Sequence, residues 1–109
     1  MSYVTNIVLS WSILEDDSKI EEVNTYFKYN QRGFVSCGDD SLPRGWYGGS
    51  KMLETPLFIG AFNYVGLEDL REHLRTITFE YPESVQLIIK DQDDDIFRIE
   101  TPLTPPKQN

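Results

Sequence analysis

The chain has 109 residues, with 10 lysines and arginines against 18 aspartates and glutamates, a formal net charge of −8, one histidine and one cysteine. That length argues for one domain, and 39% hydrophobic with 13% aromatic residues is enough apolar material for a core, which argues against wholesale disorder. The acidity and the scattered cations speak against nucleic acid and against an anionic membrane surface. They point instead to basic protein surfaces.

One cysteine cannot close an internal disulfide or build a Cys-based structural zinc site. No stretch approaches the ~18–20 apolar residues of a membrane span. Met1-Ser2-Tyr3-Val4-Thr5-Asn6 lacks a basic segment and a small-residue cleavage site. These absences give the expectation of a soluble, cytoplasmic protein.

Residues 3–14 alternate as a strand with one buried face. Tyr3, Thr5, Ile7, Leu9, Trp11 and Ile13 lie on one side, and Val4, Asn6, Val8, Ser10 and Ser12 on the other. Glu15-Asp16-Asp17 makes a turn, and Ser18 with Glu21 has the spacing of a capping box. Ile20, Val23, Tyr26 and Phe27 give a helical stripe predicted to run to about Asn30, before Gly33. Residues 33–37 read as a short second strand.

Residues 38–50 hold four glycines and read as a loop. Residues 56–62 form a near-continuous apolar run that suggests a central third strand. Leu67, Leu70, Leu74 and Ile77 mark a second helix, and Pro82 stops it. A fourth strand at 84–90, an acidic turn at 91–95 and a fifth strand at 96–100 read as a hairpin. The prolines of 101–109 suggest an extended tail after a single domain at 1–100.

This order predicts an α+β two-layer sandwich with a ferredoxin-like β-α-β-β-α-β arrangement. The sheet is antiparallel, the C-terminal hairpin strand is an addition, and both helices cover one face. In that arrangement Glu15, Asp16, Asp17, Asp39, Asp40 and the glycine-rich loop share one edge. Glu68, Asp69 and Asp91–Asp95 gather at the other.

The chemistry-bearing candidates are weak. Asp91-x-Asp93-x-Asp95 opens like a calcium loop, but Ile96 and Pro102 stand where that loop needs Gly and Glu. A solvated hairpin turn is the better reading, with no metal and no cofactor. His73 flanks the apolar stripe of the second helix, and Cys37 reads as a small buried strand residue; no nucleophile–base pair is expected. Acids in turns stay solvated, unlike the cleft carboxylates of acid–base catalysis. Gly49-Ser50-Lys51 inverts the order of a phosphate-binding loop.

The loop from Gly38 to Lys51 carries the strongest signal. It is long for a compact domain and holds Arg44, Trp46 and Tyr47, residue types enriched at binding hot spots. Trp46 is either a partner anchor or a cap on the core.

The expectation is a non-enzymatic, acidic protein-binding module of the inhibitor or immunity type. It would occlude a basic surface through Asp16, Asp17, Asp39, Asp40, Arg44, Trp46 and Tyr47. The alternative is a small-ligand sensing or sequestering domain with the loop at the ligand site. The open sheet face reads as solvated or as a homodimer surface.

Overall fold

The structure is a computed structural model that describes residues 3–27, 31–43 and 45–103. The elements in chain order are β1 (Val4–Ser10), α1 (Lys19–Asn24), β2 (Val35–Ser36), β3 (Leu57–Asn63), α2 (Leu67–Thr76), a 3-10 turn at Pro82–Ser84, β4 (Gln86–Asp91) and β5 (Arg98–Glu100). The strands form one antiparallel sheet in the order β2-β3-β1-β4-β5. The α+β class, the antiparallel sheet and the pairing of the last strand with the fourth are as the sequence predicts.

The period-2 pattern of β1 sends Ile7 and Leu9 to the core, opposite Gly60 and Phe58 of β3 and Ile89 and Leu87 of β4. Val23 of α1 and Leu70 and Leu74 of α2 complete the same cluster, so both helices cover one face. Each of these fully buried aliphatic side chains contributes ~2 kcal/mol of burial. Trp11, Phe58 and Phe79 close one end of the core, with ring centroids at 4.5 and 5.5 Å from Trp11. Phe27 stacks on Phe62 at 4.7 Å near the other.

Several boundaries differ from the sequence expectation. β1 stops at Ser10, so Ile13, placed on the buried face by alternation, is 64% exposed. α1 ends at Asn24 and continues only as a looser turn to Phe27; the expected end near Asn30 lies outside the described residues. Asn24 accounts for the early stop. Its amide accepts from Phe34 N at 2.9 Å and donates to Phe34 O at 3.0 Å, which ties the helix end to the entry of β2. A Cβ on Gly33 would collide with that amide.

The capping box at Ser18 does not form, since Ser18 is itself helical and makes no side-chain cap bond. Asp16 takes over by accepting Ser18 N at 2.9 Å. Leu103 packs against the core and Pro102 O accepts from Arg75 Nε at 3.3 Å, so the chain stays attached to the body past residue 100.

Candidate functional site at the loop end of the sheet

The C-terminal ends of β1 and β2 and the start of β3 lie at one end of the sheet, because β3 is antiparallel to both. Two connections meet there, residues 11–18 and residues 37–56. The first is a tight turn. Ser12 Oγ accepts Leu14 N at 3.1 Å and Ser12 O accepts Glu15 N at 3.0 Å, which leaves Ile13 and Leu14 at the tip, 64% and 68% exposed.

Glu15 behaves unlike its neighbours. It is buried, and its two carboxylate oxygens accept Glu80 N at 3.0 Å and Tyr81 N at 2.9 Å. The expectation of a solvated turn acid fails for this residue. Glu15 is a clamp that holds the β1–α1 turn to the segment before the 3-10 turn.

The second connection is a chain of turns stitched by its own aromatics. Trp46 Nε1 donates to Cys37 O at 2.7 Å, and Tyr47 Oη accepts Leu53 N at 3.1 Å, so one ring fixes the start of the loop and the other its end. The two rings meet edge to face at 5.9 Å. Gly45, Gly48 and Gly49 flank them with φ of 69°, 80° and 86°, backbone that L side chains adopt only with strain. Trp46 is therefore pinned by its indole N–H yet stands outside the core cluster, 44% exposed. It is a hydrogen-bonded brace of the loop rather than a cap on the core.

Asp39 Oδ1 accepts Ser41 N at 2.8 Å. Hydrogen bonds from Ser41 hold the Asp39 carboxyl below its ordinary range, and those from Ser18 do the same for Asp16. Both stay ionised. Asp16, Asp17, Asp39, Asp40 and Glu54 are exposed, and none of them is in a salt bridge among the described residues.

A pocket of about 300 Å³ joins the two connections, lined among others by Ile13, Asp17, Ile20, Cys37, Leu53 and Glu54. Tyr47, Met52 and Leu53 border a shallower depression beside it. The structure thus brings Asp16, Asp17, Asp39, Asp40, Trp46 and Tyr47 to one end, whereas Arg44 lies outside the described residues. Sequence reasoning missed Ile13, Leu14, Met52 and Leu53, which make this end apolar as well as acidic. Met52-Leu53, two large apolar residues past a glycine-rich segment, was the available signal.

The other candidates settle into structural roles. His73 Nε2 lies 3.0 Å from Glu22 O and 3.4 Å from Thr25 Oγ1, between the helices, and Cys37 is not among its partners. Burial pushes the Cys37 thiol up, away from thiolate. Asp94 Oδ2 accepts Asp91 N at 2.9 Å, and Arg98 reaches Asp91 at 3.3 Å and Asp94 at 3.0 Å, so that turn is braced by its own cation. Among the described residues no group of three or more His, Cys, Asp or Glu side chains is placed to hold a metal ion, and no helix is long and apolar enough to cross a membrane.

No protein-family model matches the chain, and no curated protein or solved structure shows significant similarity to it.

Proposed function

We propose that this chain is a non-enzymatic protein-binding module that docks its loop end on a basic surface of a target and blocks it sterically, in the manner of an inhibitor or immunity protein. The observation that carries the reading is the composition of that end. Five large apolar residues, Ile13, Leu14, Trp46, Met52 and Leu53, are exposed around carboxylates that make no salt bridge among the described residues. Apolar anchors within a charged rim are the usual anatomy of a docking patch. Unpaired acids steer a basic partner, and steering raises the on-rate rather than the lifetime of the complex.

The test is capture from the native host with wild-type bait and a Met52→Ser/Leu53→Ser double variant, followed by stopped-flow association with the recovered partner. The reading expects a basic partner lost or weakened at least ~10-fold by the double variant, with an on-rate that falls steeply between low and physiological salt. An on-rate insensitive to salt, or capture unaffected by the variant, removes it.

A second reading, a small-ligand sensing domain, rests on the 300 Å³ pocket with Asp17 at its wall, which suits a small apolar molecule with a cationic group. Under that reading Asp17→Ala abolishes the thermal stabilisation that a small cationic ligand brings. For the frame itself we infer a ferredoxin-like arrangement, supported by the β-α-β-β-α-β element order; the five-strand sheet with β5 at its edge departs from a four-stranded one.

A further inference from the structure

We propose that a second copy of this chain covers the helix-free face of the sheet. The argument starts from register. Val35 of β2 pairs with Ile59 of β3, Ile59 with Val8 of β1, Val8 with Ile88 of β4, and Ile88 with Ile99 of β5. Cross-strand partners share a face, so these five residues form one apolar row across the full width of the sheet, on the side away from α1 and α2. An antiparallel sheet with one solvated face normally carries polar residues there.

Charge narrows the occupant. The chain carries 18 acids and a net charge of −8, yet no strand position on this face is Asp or Glu, and the one ionised strand residue is Lys90. Two copies at −8 repel each other over most of their surface, and this is the face on which they can meet without opposing carboxylates. The polar cost is small. Asn6 Nδ2 already donates to Lys90 O at 3.0 Å, and the Lys90 ammonium lies 5.3 Å from the Phe97 ring centroid.

Shape gives the arrangement. The face carries a hollow of about 520 Å³ above Val8, Val35, Ile59 and Ala61, with Arg32 and Phe97 in its wall. Toward β5, Phe97 is 49% and Ile99 64% exposed. A two-fold axis parallel to the strands places Ile99 and Phe97 of each copy over the β2–β3 side of the other, which is the reciprocity a closed dimer requires. The strands hold 7, 2, 7, 6 and 3 residues, and 25 residues at ~3.3 by ~4.8 Å cover ~400 Å² per copy. That is below the ~800 Å² per partner of a standard interface, so the dimer is weak and reversible.

Sedimentation velocity from about 5 µM to about 1 mM tests this, with methyl NMR on the same samples. The mass should rise reversibly from one chain to two, with concentration-dependent shifts at Val8, Ile59, Ile88 and Ile99. Ile59→Asp should keep its fold and weaken dimerisation at least ~10-fold; Ile99→Lys, at a more exposed position, carries the same test if Ile59→Asp fails to fold. Added salt should strengthen this dimer, because it screens −8 against −8, whereas it weakens docking of a basic partner at the loop end. The Met52→Ser/Leu53→Ser variant should dimerise as wild type, so the two proposals fail separately. A single-chain mass through ~1 mM overturns the proposal, as do shifts confined to the loop end. Binding of decanoate on the face of a protein that stays monomeric overturns it too, and gives the hollow to a small amphiphile.

Discussion

Acidic residues on the α2–β5 side of the molecule and acidic residues at the loop end do opposite things. On the first side three arginines collect five of the carboxylates. Arg71 holds Glu100 with paired bonds of 2.7 and 2.8 Å and reaches Glu68 at 3.2 Å, Arg75 holds Glu72 at 2.6 Å, and Arg98 spans Asp91 and Asp94. At the loop end Asp16, Asp17, Asp39, Asp40 and Glu54 are exposed and make no salt bridge among the described residues; Lys19 and Arg32 act on Asp16 and Asp39 only at longer range. A net charge of −8 is therefore not a uniform coat. Glu68, Glu72, Asp91, Asp94 and Glu100 are held by arginines of the fold, whereas the loop-end acids stand in no salt bridge among the described residues and lie beside exposed apolar side chains, which is where an outside cation has something to gain.

Glu15 breaks that division, and removing it should produce the largest effect. It belongs to the loop end in sequence but is buried, and its two partners are backbone N–H groups rather than a cation. Glu15→Ala leaves both part-buried donors without their carboxylate, a loss of about 2 kcal/mol, against well under 1 kcal/mol for Asp17→Ala. Chemical denaturation of the two variants measures the difference, and similar losses would mean that Glu15 is no clamp.

Next in size is the arginine-held side. Hydrogen bonds from Arg71, more than its charge alone, hold the Glu100 carboxyl below its ordinary 4.5. The folded chain thus takes up that proton less readily than the unfolded chain. The stabilisation is complete above the ordinary value and is lost as pH falls through the depressed one. The pair is a quarter exposed, so about 1–2 kcal/mol is at stake. Glu100→Gln should cost that much at pH 7 and nearly nothing at about pH 2, so the two stability curves converge in acid. Parallel curves would show that the pair contributes no proton linkage.

Much of the frame was legible because its signals are local. Alternation over Val4–Ser10, the stripe Leu67-Leu70-Leu74 and the hairpin around Asp91–Asp95 lie within a few residues of each other, and the structure keeps all three. What failed depends on distant partners. Glu15 read as a turn acid because Glu80 and Tyr81 are 65 and 66 residues away. The open face read as polar from Asn6, Ser10 and Ser12 alone. Its apolar row comes from Ile59, Ile88 and Ile99, and only the register of four strand pairs aligns them with Val8. The loop's aromatics were visible, but their two backbone bonds, to Cys37 and Leu53, were not.

The smallest expected effect bears most directly on the contrast between the two sides. Among the described residues Arg98 is the one cation in a salt bridge with the 91–95 turn, and its side chain is 43% exposed, so solvent screens much of what it gives to Asp91 and Asp94. Arg98→Gln should lower stability by ~0.5 kcal/mol in dilute buffer, about 2–4 °C in Tm, and the loss should vanish near ~1 M salt. Asp40→Asn removes an acid that is in no salt bridge among the described residues and stands beside Asp39, so it should leave Tm unchanged or raise it slightly under the same conditions. Opposite signs in dilute buffer that converge in high salt would establish that the acids on one side are part of the fold and those on the other are not. If Asp40→Asn is the destabilising change and Arg98→Gln is neutral, the loop-end carboxylates are already engaged within the chain, and they are no longer available to steer a partner.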